Sequence, residues 1–286
     1  RQFYKISVHF SFILGEDKKF SFAVNQRKEF GNFHPENSFI LMYICADIIQ
    51  LRNIKVVGYI DMDIRENLKK ILNTLPEGVQ LVAVSKTKPV ESIREAYAAG
   101  QRIFGENRPQ EMAAKHQELP SDILWHMIGQ LQEKNVKYIA GFVDLIHSVD
   151  SLKVLSRIDR EAAKHDRVID CLLEFHIARE ETKAGLRLQE AEEILKSEVC
   201  RNMRNVRIVG VMGVATNTDD EDIIREEFHH LKEIFDDLKR KYFSKEASFK
   251  ELSMGMSGDY QIAVGEGSTL VRVGSSIFGE REYRTK

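Results

Sequence analysis

The sequence predicts an α/β protein whose main domain is a closed (β/α)8 barrel, or TIM barrel. From residue 62 onward, short apolar segments alternate with segments in which apolar residues recur every three or four positions. Eight such strand–helix pairs follow one another, which favours a closed parallel sheet over an open one. Residues 62–286 also fall within the usual size range of such barrels, whose typical length is about 250 residues.

The eight predicted strands are short and mostly apolar, as expected for strands that are buried on both faces. They are Leu81–Ser85, Ile103–Gly105, Leu124–Ile128, Leu145–Ser148, Cys171–Ile177, Arg207–Ala215, Glu251–Met254 and Leu270–Val273.

Helical patterns lie between most of these strands. The first begins at Met62 and carries its apolar residues on one face until Pro76-Glu-Gly78 ends it. Ser92-Ile-Arg-Glu95 has the spacing of a capping box and predicts the start of a second helix. Three further helices are predicted at Ser151–His165, Leu188–Glu198 and Asp219–Tyr242.

Residues 1–61 show no sustained period and little turn punctuation. Phe20–Val24 and Phe39–Ile44 fit either strands or a short helix, and the pattern does not decide between them. We expect residues 1–61 to be an upstream or weakly ordered extension, with the natural start at Met62 and the barrel domain at 62–286. The intact mass of the native protein tests this, and retained residues before Met62 would refute it.

The composition is that of an ordinary globular protein, with 43% hydrophobic residues, 30% charged residues and a formal net charge of −2. This balance offers no general attraction for nucleic acid or an anionic membrane. Three widely spaced cysteines without a CxxC pair favour neither a disulfide framework nor a metal site. This cysteine usage makes a reducing cytoplasm the expected location, and no signal peptide or membrane-spanning stretch is apparent.

Lys86 directly follows the apolar run Leu81–Val84, and Pro89 forces the chain to turn soon afterwards. In a barrel, functional residues lie at the carboxyl ends of the strands, which is where this lysine falls. Partial desolvation there frees the neutral amine that a Schiff base needs. The alternative is a strand-end lysine whose charged head reaches water.

The last predicted strand leads into Gly274-Ser275-Ser276, where backbone N–H groups and hydroxyls can bind phosphate. The preceding loop, Met254–Asp259, adds the Ser257 hydroxyl. The alternative is two ordinary strand-to-helix turns with serine caps. Together with Lys86, these residues suit a phosphorylated aldehyde such as pyridoxal 5′-phosphate (PLP). Arg272 points by alternation toward the same rim, where the alternative role is a solvated ion pair.

Other candidate sites are weaker. His126 suits a hydrogen-bonded core position better than a cofactor contact, and Lys183 suits either surface charge or an anion at the rim. Neither histidines nor carboxylates are predicted to cluster at the carboxyl ends of the strands. The sequence contains no HExxH, no complete dinucleotide fingerprint and no GxSxG elbow.

Six motifs occur in order and carry a family resemblance: Val84-Ser-Lys-Thr-Lys-Pro89, Phe104-Gly-Glu-Asn107, Trp125-His-Met-Ile-Gly129, Glu181-Thr-Lys-Ala-Gly185, Leu252-Ser-Met-Gly-Met-Ser257 and Val271-Arg-Val-Gly274-Ser-Ser-Ile-Phe-Gly279. Together they closely resemble the pyridoxal phosphate homeostasis protein family (the YggS/PROSC group). The resemblance covers essentially all of residues 62–286 and none of 1–61.

This resemblance implies a barrel like the N-terminal domain of alanine racemase and a Schiff base between PLP and Lys86. It further implies that Ser257, Gly274 and Ser275 hold the phosphate and that Arg272 faces the pyridine nitrogen. Asn107 and Met256 would lie near the cofactor. The sequence departs from the family in Leu131-Gln-Glu-Lys-Asn135, where Leu-Gln-x-Asn-Lys is usual, and in Arg108-Pro109 after Asn107.

The function implied is intracellular PLP (vitamin B6) homeostasis without catalytic turnover. The expected partners are PLP and, beyond it, PLP-dependent apoenzymes, and the expected state is a monomer. The alternative is a PLP-dependent amino-acid racemase, which needs a second acid or base on the opposite face of the cofactor. No such group is evident in the sequence. A third, weaker possibility is a barrel enzyme acting on a phosphorylated sugar without forming an imine.

Overall fold

The computed structural model describes residues 3–13, 19–29, 59–60 and 63–279. The chain divides into two compact units, Arg1–Asp63 and Ile64–Lys286. In the first unit, β1 (Phe3–Ile13) pairs antiparallel with β2 (Lys19–Glu29) and with the short β3 (Tyr59–Ile60). Of the two structures left open for Phe20–Val24, the strand is therefore the observed one.

Two of the sequence predictions for this first unit are not addressed by the structure. The segment Phe39–Ile44 lies outside the described residues, as does Met62. A natural start at Met62 therefore stays a prediction.

The second unit is a closed barrel of eight parallel strands, which confirms the predicted fold. The strands are β4 (Gln80–Val84), β5 (Ile103–Glu106), β6 (Leu124–Met127), β7 (Leu145–Val149), β8 (Ile169–Phe175), β9 (Val206–Gly213), β10 (Glu251–Ser253) and β11 (Leu270–Val273). Their order around the barrel follows the order in the sequence. All eight predicted strands are present, and their bounds differ from those predicted by at most a few residues.

The barrel closes where its last strand pairs with its first. In this parallel pairing Val271 lies opposite Leu81, and Arg272 lies opposite Val82. Because parallel strands end at the same edge of the sheet, closure brings the carboxyl ends of β4 and β11 side by side. Two segments almost 190 residues apart in the chain therefore meet at the predicted site.

Helices follow most of the strands and cover the outside of the barrel. They are α1 (Ile64–Leu72), α2 (Val90–Ala98), α3 (Pro109–Glu118), a 3-10 helix (Glu133–Tyr138), α4 (Leu152–Ala163), α5 (Leu188–Lys196), α6 (Glu198–Asn202), α7 (Glu221–Tyr242), α8 (Tyr260–Gly265) and α9 (Ser275–Phe278). Among these described helices, none has both the length and the apolar character needed to cross a membrane.

Of the helix starts predicted from capping residues, one is confirmed and one is wrong. Ser151 caps α4 through a hydrogen bond from the Val154 N–H, as the sequence suggests. The capping box predicted at Ser92 is wrong, because α2 begins two residues earlier, at Val90. Pro89 occupies the N-cap position with an extended backbone, so the helix starts directly after the proline.

Apolar side chains form two cores. The larger core lies between the strands and the helices and includes Leu68, Trp125 and Phe228. A smaller one comes from alternate positions of the strands and fills the barrel interior: Val82, Leu145, Leu172, Val209, Met212 and Leu270. Above this interior layer, at the carboxyl ends of the strands, the side chains become polar.

Candidate cofactor site at the carboxyl ends of the strands

Lys86 is held by a tight turn at the end of β4. The Ser85 N–H donates to the carbonyl of Gly105 at 3.0 Å, and the Lys88 N–H donates back to the Ser85 carbonyl at 3.0 Å. Thr87 takes a left-handed backbone conformation with φ of 64°, which is uncommon for a β-branched residue. Lys86 itself is half-buried. The predicted amine therefore sits at the barrel rim on a well-defined backbone.

A buried charge network lies next to this turn. Lys115 Nζ is 2.7 Å from Glu106 Oε1, 2.7 Å from Glu111 Oε1 and 2.9 Å from the Ser85 carbonyl oxygen. The Ser85 hydroxyl donates to the same Glu106 oxygen at 2.7 Å. Burial raises the pKa of Glu106 to about 7, although its bonds with Lys115 and Ser85 oppose the shift. The network holds the residue that directly precedes Lys86.

Arg272 is buried rather than solvated, which excludes the alternative of an exposed strand-end arginine. Only 5% of its surface is exposed. Its Nη1 donates to Ser253 Oγ at 2.5 Å, and its Nη2 donates to the Gly213 carbonyl at 3.0 Å. Burial lowers the pKa of Arg272 to about 10, and nearby carboxyl groups limit the shift. The guanidinium therefore stays cationic at neutral pH, inside the barrel.

Gly274 directly follows β11 and packs against the end of β4. A Cβ atom there would lie 3.0 Å from the Val84 carbonyl oxygen and 3.1 Å from Val84 Cβ, both tighter than usual contacts. The Gly274 N–H donates to Ser257 Oγ at 3.1 Å. Ser275 follows at the start of α9 and is exposed. Three predicted phosphate-binding residues thus gather beside the strand that carries Lys86.

The loop between β10 and α8 is built around Gly255 and ends beside Ser257. Gly255 has φ of 95°, and a Cβ atom there would lie 2.6 Å from Ala263 Cβ, so a larger residue would not fit. The Met256 N–H donates to Asp259 Oδ1 at 2.5 Å. The Met256 side chain is exposed at the rim, where an apolar group can contact a ligand.

Asn107 follows β5, the strand next to β4. Its Oδ1 atom is buried and has no hydrogen-bond partner within the part of the chain that the structure describes. A Cβ atom at Gly129 would lie 2.6 Å from the Asn107 carbonyl oxygen, so the two backbones touch closely. A buried acceptor without a partner is a place where a ligand donor would be accommodated.

The structure also places a carboxyl group that sequence reasoning missed. Glu174 lies on β8 two residues beyond Leu172, and alternation turns both toward the barrel interior. Burial and the Asp150 carboxylate raise the pKa of Glu174 to about 7, whereas Arg272 lowers it. Its Oε2 is buried without a partner among residues 63–279. Counting every second residue from Leu172 would have found this position.

His126 has the hydrogen-bonded core position that the sequence favours, but it is not alone. It lies against His147, which was not singled out, with 3.0 Å between His126 Nδ1 and His147 Nε2. The prediction concerned histidines at the carboxyl ends of the strands, whereas this pair lies deeper, in the barrel interior. Both strands are adjacent, and both histidines point into the barrel.

Lys183 is not a simple surface charge. Its Nζ donates to the Ala215 carbonyl at 2.5 Å and pairs with the Glu180 carboxylate, which ties the loop after β8 to the segment after β9. In the segment that departs from the family, Lys134 is exposed and Asn135 accepts a hydrogen bond from Gln110 at 3.2 Å.

The chain is similar to several characterised groups of proteins. The family model for the N-terminal domain of alanine racemase matches residues 60–282. A pyridoxal phosphate homeostasis protein from Aquifex aeolicus (strain VF5) is 40% identical over 205 residues, covering 71% of this chain and 88% of that protein. One from Vibrio alginolyticus is 37% identical, covering 79% of this chain and 97% of that protein.

Solved structures also resemble this chain, both in the PLP-binding protein PipY and in alanine racemases. PipY of Synechococcus elongatus PCC7942 with PLP bound superposes with a TM-score of 0.69 at 37% identity, covering 76% of this chain and 100% of PipY. An alanine racemase from Clostridium difficile 630 shares the fold alone, with a TM-score of 0.60 at 16% identity and coverage of 78% of this chain and 60% of the racemase. The chain therefore belongs to the pyridoxal phosphate homeostasis protein family, built on the alanine racemase N-terminal barrel.

Proposed function

We propose that this chain binds PLP as a Schiff base on Lys86 and serves PLP homeostasis as a carrier rather than as an enzyme. The observation that carries the proposal is the pairing of β11 with β4, which brings Arg272 and Gly274 beside the strand that leads into Lys86. The PLP bound in the structure of PipY supports the choice of ligand.

The residues present fit the three reactive parts of PLP. A neutral lysine amine condenses with the aldehyde to form an imine and release water. The buried Arg272 cation suits the pyridine nitrogen, because a protonated arginine there disfavours protonation of the ring. The Ser257 hydroxyl and the Ser275 N–H suit the phosphate, and the Gly274 N–H holds the Ser257 hydroxyl beside them.

Two further residues complete the proposed site. Asn107 offers a buried amide oxygen without a partner in the described residues, and Met256 offers an exposed thioether beside Ser257. We assign both to contacts with the bound cofactor rather than to chemistry. The full proposed set is Lys86, Asn107, Met256, Ser257, Arg272, Gly274 and Ser275.

The argument for a carrier role is that a racemase needs a second catalytic group besides the lysine that binds PLP. Two-base racemisation requires a second acid or base facing the cofactor from the side opposite the lysine. The barrel matches only 60% of the Clostridium difficile racemase, so the rest of that enzyme has no counterpart in the match. Arg272 also weakens the ring as an electron sink, because an unprotonated pyridine stabilises a carbanion poorly.

We further propose that the protein acts in the cytoplasm as a monomer and passes PLP to apoenzymes. Closure of the barrel leaves none of its eight strands with an unpaired edge that could recruit another copy. Light scattering after size exclusion would show a single-chain mass of 33.0 kDa, and a dimer would refute this part of the proposal.

Borohydride trapping tests the central claim. The protein charged with PLP should show an imine absorption band, and reduction should fix the cofactor on Lys86 in peptide mapping. Lys86→Ala should lose the trapped label, whereas Lys88→Ala, altered in the same turn, should keep it. A label on another lysine, or a protein that takes up no PLP, would refute the proposed function.

Turnover is tested separately with the charged wild-type protein. Incubation with L- and D-alanine, followed by chiral chromatography, should show no racemisation above that of free PLP. A rate above this background that disappears in Lys86→Ala would refute the carrier role and establish the racemase alternative.

A further inference from the structure

A chain of hydrogen-bonded side chains runs through the barrel interior below the proposed site. Arg272 Nη1 donates to Ser253 Oγ, which lies 2.9 Å from His147 Nδ1. His147 Nε2 lies 3.0 Å from His126 Nδ1, and His126 Nε2 lies 3.5 Å from Asp144 Oδ2. The first four residues are at most 5% exposed, whereas the Asp144 side chain is 48% exposed.

This row of hydrogen-bonded side chains connects opposite ends of the barrel. Arg272 is also bonded to the carbonyl of Gly213, the last residue of β9, which places its guanidinium toward the site. Asp144 directly precedes β7 and so lies at the amino ends of the strands, where it meets solvent. Side chains from four strands thus link the proposed cofactor site to the far surface.

The cation at Arg272 and the carboxylate at Asp144 together favour one direction for these hydrogen bonds. A guanidinium only donates, so Ser253 Oγ accepts from Arg272 and its own proton is available for His147 Nδ1. His147 then carries its proton on Nε2 and donates to His126 Nδ1. His126 in turn carries its proton on Nε2 and donates to Asp144. In this arrangement every donor in the chain meets an acceptor.

The environment of His147 agrees with this assignment. Burial, with the nearby Arg272 cation, lowers the pKa of His147 well below its ordinary range, so the ring is neutral. A neutral imidazole has one donor and one acceptor nitrogen, which is what the chain requires at this position. At the far end, the hydrogen bond from His126 lowers the pKa of Asp144, so a carboxylate terminates the chain.

We propose that Ser253, His147, His126 and Asp144 are positioning residues that hold Arg272 in its orientation toward the pyridine nitrogen of PLP. The inference rests on the proposed function, since Arg272 is assigned to that nitrogen there. Orientation matters because the guanidinium is planar and its donors leave in fixed directions. Because Ser253 Oγ accepts from Nη1 of Arg272, only the remaining N–H groups of the guanidinium can donate to the cofactor.

The tautomers can be tested without any cofactor. In cofactor-free protein labelled with ¹⁵N-histidine, long-range ¹H–¹⁵N correlation spectra should show His147 as a neutral ring protonated at Nε2, with Nδ1 of His126 as the hydrogen-bond acceptor. Ser253→Ala removes the donor to His147 Nδ1 and should move that nitrogen's resonance. A His147 protonated at Nδ1, or a resonance unmoved in Ser253→Ala, would overturn the proposed chain.

The effect on PLP is tested with variants at both ends of the chain. Ser253→Ala should weaken PLP binding about fivefold, the value of one hydrogen bond of ordinary strength. Ser268→Ala is the matched control, because within residues 63–279 that buried hydroxyl bonds only backbone carbonyls, including those of Leu252 and Met254. Ser268→Ala should lower the free energy of unfolding about as much as Ser253→Ala does, and it should leave PLP affinity unchanged.

Asp144→Asn tests the solvent-facing end of the hydrogen-bonded row, where a substitution at a half-exposed side chain should leave the protein folded. It should shift the His126 resonances and weaken PLP binding about twofold, less than one full hydrogen bond. Asp122→Asn is the control, since Asp122 is an exposed carboxylate just before β6 that pairs with Arg102. If the wild-type protein binds PLP but Asp144→Asn changes the His126 resonances and PLP affinity no more than Asp122→Asn does, this inference is refuted and the proposed function stands. If wild type binds no PLP, the proposed function fails as well.

Discussion

Lys115 and Glu106 form an ion pair inside the protein, with 2.7 Å between Nζ and Oε1 and side chains that are 7% and 0% exposed. Glu111, one turn before Lys115 on α3, shares the same ammonium group. Because Lys115 also bonds the Ser85 carbonyl, the pair ties α3 to the end of β4. The position of Lys86 therefore depends on a charge pair that does not itself belong to the site.

Lys115→Met should destabilise the protein by about 3–5 kcal/mol, because it leaves Glu106 buried without its cation. Urea unfolding at pH 8, where Glu106 is ionised, measures the change. The double variant Lys115→Met/Glu106→Gln should recover part of the loss. Lys196→Met breaks an exposed pair with Glu192 and should cost far less. Equal losses in the two single variants would contradict the prediction.

Glu174 should make stability depend on pH. Its folded-state pKa of about 7 lies above its ordinary value of 4.5, so the folded protein holds a proton that the unfolded chain has lost. Stability should therefore fall as pH rises from about 4.5 to 7 and then level off. By linkage this shift corresponds to about 3 kcal/mol at most.

Glu174→Gln removes this titration and should be more stable than wild type at pH 8 but not at pH 4.5. Urea unfolding at several pH values measures the difference. Glu226→Gln, at a carboxylate whose side chain is 73% exposed, serves as the control and should show no such trend. A constant difference between Glu174→Gln and wild type across this range would show that Glu174 does not titrate there.

Gly274→Ala should lower stability by about 1–3 kcal/mol, because the new methyl group would meet Val84. Moving the end of β11 away from β4 should also weaken PLP binding, which a spectroscopic titration measures. Gly258→Ala is the control from the neighbouring loop, where an added Cβ meets nothing within 4 Å. Unchanged affinity in Gly274→Ala would argue against a close phosphate contact at this glycine.

Cys171 should resist alkylation in the folded protein. It is fully buried on β8, and burial raises the pKa of its thiol, so little reactive thiolate forms. Cys200 is only half-buried and should react with iodoacetamide at least about tenfold faster, as peptide mapping over time would show. In urea the two rates should converge. Equal rates without denaturant would mean that β8 opens readily.

The sequence alone determined the barrel, the approximate bounds of its strands and the position of Lys86. These features depend on local patterns, because a buried strand needs a short apolar run and a helix needs apolar residues on one face. The ordered motifs also identified the family. Local rules failed at some helix ends: Pro89 starts α2 before the predicted cap at Ser92, and α1 ends at Leu72, before the predicted end at Pro76.

Only the tertiary structure decided which distant side chains meet. His147 and Ser253 are 106 residues apart, yet closure of the barrel brings them within hydrogen-bond distance. A lysine on a helix is ordinarily exposed, but the packing of α3 buries Lys115 against Glu106. Hydrophobic periodicity shows which face of an element is buried, whereas partner choice depends on strand register and barrel closure, which are not local properties.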